Sequence, residues 1–179
     1  MLKTEKILKK FGNVVIKNAK NQLKRKNDTQ ALYNSLDYNL KVNKSQGKNI
    51  LPSFEFDFVW LDYGPYIDEG VRGAGGVRKT TSTFNKSNNK GKLWKIYAKK
   101  SRFQYGRPGR PQGIKASHFE SWAKKRGISP YAVAKSVFHQ GIKTTLFFSR
   151  PFDNAYKYLP DAITEGYGDD LETFFKKSL

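Results

Sequence analysis

The chain contains no cysteine. That excludes disulfides, thiolate metal sites and cysteine nucleophiles together. Histidine is nearly as scarce: His118 and His139 are the only two, 21 positions apart, which argues against a histidine-rich metal centre. No stretch approaches the roughly 18 consecutive apolar residues that a membrane-spanning helix requires, so no membrane partner is expected. The opening residues, MLKTEKILKKFGNVVIKNAK, carry charges every few positions and lack the apolar core of a secretory signal. Apolar residues amount to 37%, which is low, yet aromatics reach 15%, with 13 Phe, 10 Tyr and 3 Trp. Each aromatic buries a large area, so a core is available and the composition is not that of a disordered chain. At 179 residues the sequence is expected to form a single domain, 1–179.

Acidic residues are also scarce, and unevenly so. Residues 1–26 are net +8, residues 27–71 net −4, residues 116–150 net +5 and residues 151–179 net −3. Residues 72–115 hold thirteen Lys and Arg and no acid. Blocks of one sign repel themselves unless they meet something anionic. This stretch is Gly- and Asn-rich, is interrupted by aromatics, and reads as a basic loop insertion, an extended arm.

Periodicity gives the elements. In residues 2–26, Leu8, Phe11, Val15 and Ala19 recur at helical spacing, with Ile7, Val14 and Leu23 widening the stripe and lysines elsewhere. This reads as a surface helix with a solvated basic face. Residues 35–42 alternate, with Leu36, Tyr38, Leu40 and Val42 on one side. Residues 54–61 alternate with Phe54, Phe56, Phe58 and Trp60. Period two with aromatics predicts two half-buried strands joined by a long loop. Gly64-Pro65 signals a turn, and KLWKIYAK is compatible with a short strand. Ser117 and Glu120 have capping-box spacing, and Gly127 closes that helix. Ser129-Pro130 opens another, with Tyr131, Ala134, Val137 and Phe138 on one face and Gly141 at its end. Thr144 to Phe148 is a short β-prone run, and a further helix or bent pair runs from about Phe152 to Lys177. Strands and helices are segregated along the chain, which predicts an α+β fold: a small antiparallel sheet packed against helices.

Motifs for chemistry are weak. GVRGAGGVRKT lacks the spacing of a phosphate-binding loop and reads as a mobile glycine-rich segment. GRPGRP, residues 106–111, resembles the Arg–Gly–Pro cores of minor-groove DNA hooks, and reads more simply as a basic loop making phosphate contacts. Asp57, Asp62, Asp68 and Glu69 could be imagined around a magnesium ion in a nuclease, but they read better as acids answering a basic chain. His139 is explained by a helix C-terminus. No serine has a credible base partner. No catalytic residue, metal site or cofactor is expected.

Three segments, in order, carry a resemblance. They are LYNSLDYNLKV with its second strand; WLDYGPYIDEGVRG, a pair of tyrosines followed by an acid and Gly; and FESWAKKRGIS…AVAKSVFHQGIKTTLFFSRPFDNA. Together they resemble the neck and tail-completion proteins of tailed phages, the head–tail connector subunits that join portal to tail. The resemblance covers residues 1–71 and 115–179. It implies a virion structural protein without enzymatic activity, assembling as a ring of twelve or six copies around the DNA channel. The portal or an adjacent connector ring and the tail proteins would be its partners, and it would lie in the neck or tail of the virion after assembly in the host cytoplasm. Tyr63, Tyr66, Asp68 and Gly70 match the family's Tyr–Gly segment and become candidates for the docking interface, while Trp122 and Gly141 to Phe148 match its helical segment. The aromatics of the basic stretch, Trp94, Tyr97, Phe103 and Tyr105, are further interface candidates. Arg72, Arg78, Lys79, Lys95, Arg102, Arg107 and Arg110 are candidates for contact with DNA or another anionic partner. The alternative is a non-specific nucleic-acid-binding module built on the same stretch.

Overall fold

The computed structural model describes residues 1–24, 30–43, 52–75, 95–106 and 114–178. They form two compact units, one made of Met1–Asp62 with Phe147–Leu179 and the other of Tyr63–Leu146. Both contain helices, and each has its own small antiparallel pairing, so the fold is α+β.

The first unit is built on α1 (Lys3–Leu23). Leu8, Phe11, Val15, Ala19 and Leu23 are buried along it. Val14, expected to widen the stripe, is instead exposed. A short helix, α2 (Ala31–Ser35), which the sequence pattern did not announce, precedes the first strand and buries Leu32. Strands β1 (Asp37–Asn43) and β2 (Ser53–Val59) then pair antiparallel, with Tyr38 opposite Phe58 and Leu40 opposite Phe56. Both strands alternate exposed and half-buried residues, as period two requires. The joining residues 44–51 lie outside the described set.

The aromatic face of β2 meets α1. Phe11 sits 5.8 Å from Phe56, 5.9 Å from Phe58 and 5.8 Å from Phe152. Phe148 packs 5.0 Å from Phe58 and 4.2 Å from Trp60. Such tilted and edge-on pairs add about 0.5–1.5 kcal/mol each beyond the area they bury. Gly12 lets the helix come this close, because a Cβ there would meet the Tyr38 ring at 2.8 Å and Phe56 at 2.9 Å. The bent pair expected near the end of the chain is α6 (Ser149–Tyr156) and α7 (Leu159–Ser178), and both pack on α1. One long-range contact fixes this arrangement. Asp170 of α7 accepts the Lys3 amide at 2.7 Å on Oδ1 and the Thr4 amide at 2.9 Å on Oδ2. Leu2, at the N-cap of α1, supplies no side-chain cap of its own.

The second unit has a core of small residues: Val71, Ala74, Ala98, Ala123 and Ala134. The Gly64-Pro65 turn proves to be one turn of helix, α3 (Gly64–Asp68), with proline in its first turn. Strand β3 (Val71–Arg72) pairs antiparallel with β4 (Gly141–Ile142). On its other side Arg72 bridges in parallel to Gln104, through Arg72 N–H to the Phe103 carbonyl and Tyr105 N–H to the Arg72 carbonyl, both 2.9 Å. Residues 95–106, part of the stretch expected as a loop, thus return to this unit and place Ala98 and Ser101 inside it. Lys95 to Lys100 do not form the expected strand.

The rest of this unit is a 3-10 turn (Ala116–Phe119), α4 (Glu120–Lys124) and α5 (Pro130–Gln140). The capping box does not form. The chain enters α4 through the 3-10 turn, so Ser117 lies inside that turn and gives its carbonyl to the Glu120 amide. Gly127 closes α4 as expected, with φ +62°. Tyr131, expected on the packed face of α5, is 69% exposed. The β-prone run Thr144 to Phe148 is not a strand: Thr144 and Thr145 spend their hydroxyls on the carbonyls of Glu69 and Ile67, and Leu146 turns to φ +50°.

Candidate docking site: an aromatic cleft at the Tyr–Gly segment

Helix α3 and the turn after it hold the segment that carries the resemblance. Its acid and glycine point inward. Asp68 is buried and its carbonyl accepts the amides of Thr145 (3.0 Å) and Leu146 (2.9 Å). Gly70 adopts φ +74°, and a Cβ there would lie 2.5 Å from the Ile142 carbonyl oxygen and 2.7 Å from the Thr144 nitrogen. Only glycine meets both demands. The Gly70 carbonyl in turn accepts the Ser101 hydroxyl at 2.7 Å, and Ser101 Oγ accepts the Phe103 amide at 3.1 Å. Asp68 and Gly70 therefore shape the segment from within rather than present it.

The two tyrosines do the opposite. Tyr63 and Tyr66 remain 42% and 43% exposed. The ring of Tyr66 lies 4.3 Å from that of Phe103. Together with Ile67, Val71, Gln104, Tyr105 and Ile142 they line an open cleft of about 530 Å³. Two interface candidates from the Tyr–Gly segment and two from the basic stretch thus converge on one place. Ser101 brings them there, and no sequence signal marked it. Ile142, in β4, belongs to the third quoted segment, whereas Gln104 enters only through its pairing with Arg72.

Charge rims the cleft. Arg102 Nε is 3.0 Å from Glu69 Oε1, and its guanidinium lies 4.8 Å from the centre of the Phe103 ring. The pair is largely solvated and holds geometry more than it adds stability. Burial pushes the Tyr105 hydroxyl above the ordinary tyrosine range, so it is neutral at physiological pH. Arg72 is half-buried in β3, its Nε enclosed without a hydrogen-bond partner among the described residues. Tyr97 (52% exposed) and Lys95 are on the surface, away from the cleft lining. Trp94, Arg78, Lys79, Arg107 and Arg110 lie outside the described residues.

Of the acids considered for a metal, Asp57 stands on the outward face of β2. Among the described residues no group of three or more His, Asp or Glu side chains could hold a metal ion. His139 Nδ1 donates to the Gly75 carbonyl at 2.9 Å, a structural bond. No family model matches the chain, and neither the curated proteins nor the solved structures give a significant match. The residues that line the cleft are aromatic and aliphatic apart from Gln104.

Proposed function

We propose that the chain is a virion structural subunit, a ring-forming head–tail connector, neck or tail-completion protein that docks between portal and tail around the DNA channel. It acts by self-association and docking and makes no covalent bond. The observation that supports this best is the aromatic cleft: the tyrosines of the segment that resembles the connector family stand exposed, while its acid and glycine are spent holding them in place. Interfaces are enriched in exposed aromatics that become buried on assembly, and Tyr anchors often dominate their energetics. A head-to-tail interface between different faces of successive copies closes into a ring when the rotation permits.

Quantitative mass spectrometry of density-purified particles, counting this chain against the portal subunit, tests the proposal. A fixed ratio near one or one half is expected, for about twelve or six copies. Absence from the particles overturns it. Tyr66→Ser with Phe103→Ser should lower incorporation by at least about tenfold, at the ≥2 kcal/mol expected of interface anchors, with the far-ultraviolet circular dichroism unchanged.

A further inference from the structure

The two units divide the charge very unequally. Residues 63–146 carry 18 Lys and Arg against three acids, net +15. The rest of the chain carries 16 against 12, net +4. Within the second unit, Glu120 is the only acid after Glu69. The sequence placed anionic contact on residues 72–110, yet two described members of that set are committed elsewhere. Arg102 is held by Glu69 and Phe103, and Arg72 is half-buried in a strand.

The corner between α4 and α5 carries a second basic group. Lys124, Lys125 and Arg126 are consecutive and exposed. The backbone that carries them is fixed: the Ile128 amide donates to the Ala123 carbonyl at 3.0 Å and the Gly127 amide to the Lys124 carbonyl at 3.2 Å, the paired bonds of a Schellman closure. The Arg126 guanidinium lies over the Trp122 indole, 4.3 Å from the ring centre, and Nη1 donates back to the Trp122 carbonyl at 3.4 Å. Its position is thus held in advance, which lowers the entropy lost when it pairs with an anion. In the first turn of α5, Tyr131 is 69% exposed, and Lys135, one helical turn on, is exposed as well.

We infer that this corner, Lys124 and Arg126 with Tyr131 and Lys135, is a contact surface for the sugar-phosphate backbone of nucleic acid. Exposed cations at one corner of a unit with 18 Lys and Arg against three acids suit a polymer with one charge per ~1.7 Å of duplex axis. The open face of Tyr131 suits stacking on an unpaired base. The inference stands apart from the connector reading, since it concerns a surface that the docking cleft does not include.

Fluorescence anisotropy with a labelled duplex of arbitrary sequence and the matching single strand, across a salt series, tests it. The triple variant Lys124→Gln, Arg126→Gln, Lys135→Gln should weaken both complexes and lower the duplex log–log salt slope by about 2–3, the share of three phosphate contacts. Tyr131→Ala should weaken the single-strand complex at least about fivefold and the duplex complex much less. A triple variant of α1, Lys6→Gln, Lys10→Gln, Lys17→Gln, removes equal charge from the other unit and should leave the slope nearly unchanged. Equal loss from the two triple variants means that binding follows total charge, and overturns the inference. So does poly-glutamate that binds as tightly as the duplex at the same salt, which would point to an acidic protein partner. Native mass spectrometry of the same variants keeps this result separate from assembly: loss of nucleic-acid binding with self-association intact is the expected combination.

Discussion

Replacing Asp170 tests whether the first unit is closed by a helix cap supplied from the far end of the chain. The carboxylate accepts two amides, from Lys3 at 2.7 Å and Thr4 at 2.9 Å, and is almost fully buried. Asp170→Ala leaves both donors unmet beneath α7. Loss of an N-cap side chain costs about 0.5–2 kcal/mol, and a hydrogen bond to a charged group contributes about 1.5–3 kcal/mol. Two short bonds to one buried carboxylate at the positive end of a 21-residue helix put the cost near the upper range, at about 3 kcal/mol. Asp170→Asn keeps one acceptor and should cost about half as much. The pH dependence separates this account from a packing defect. Burial alone would push the Asp170 carboxyl up, but the amides of Thr4 and Lys3 and the nearby Lys3 ammonium outweigh it and hold the carboxyl below its usual range. In the unfolded chain the group titrates near its ordinary value of about 3.9. Its contribution is therefore complete above that value and is lost as pH falls through the lower, folded value. Urea titration with hydrogen exchange of the α1 amides should show the full difference between wild type and Asp170→Asn from about pH 5 to 7, shrinking towards acid. A difference under about 0.5 kcal/mol at neutral pH, or one independent of pH, refutes the reasoning.

Ser101→Ala removes the donor to the Gly70 carbonyl and the acceptor of the Phe103 amide; it should cost about 1–3 kcal/mol and raise exchange at Phe103 and Tyr105, and unchanged exchange there would show that Ser101 does not hold the cleft. The second unit, at net +15, pays for self-repulsion that salt relieves, because screening shortens from about 10 Å at 0.1 M to about 3 Å at 1 M. Proteolysis of residues 95–146 should slow as sodium chloride rises over that range, while cleavage within α1 changes little; equal responses would argue that the charge is not what limits this unit.

What was legible in the sequence had a period or a local signal. The stripe Leu8–Phe11–Val15–Ala19 is buried as its spacing requires, and the aromatics of β1 and β2 share the covered face. Gly127 and Gly141 end their helices. The failures share a cause. The capping box at Ser117 and the strand at Thr144 were local signals that the surrounding backbone overrode: a 3-10 entry to the helix in one case, the distant carbonyls of Ile67 and Glu69 in the other. Conversely, the groups that organise the two units left no local trace. Asp170 serves amides 166 and 167 positions away, and Ser101 joins a segment 31 positions earlier. Neither differs in sequence from a solvated polar residue. The same reasoning separates the members of the Tyr–Gly segment. Sequence grouped Tyr63, Tyr66, Asp68 and Gly70 as one candidate surface. The backbone divides them, because a positive φ and a close carbonyl bury the glycine, and the turn that does so leaves the tyrosines outside. Gly70 and Ser101 act on these tyrosines only through the shape of the cleft. Substitutions there should loosen binding and folding together, whereas Tyr66 should separate the two.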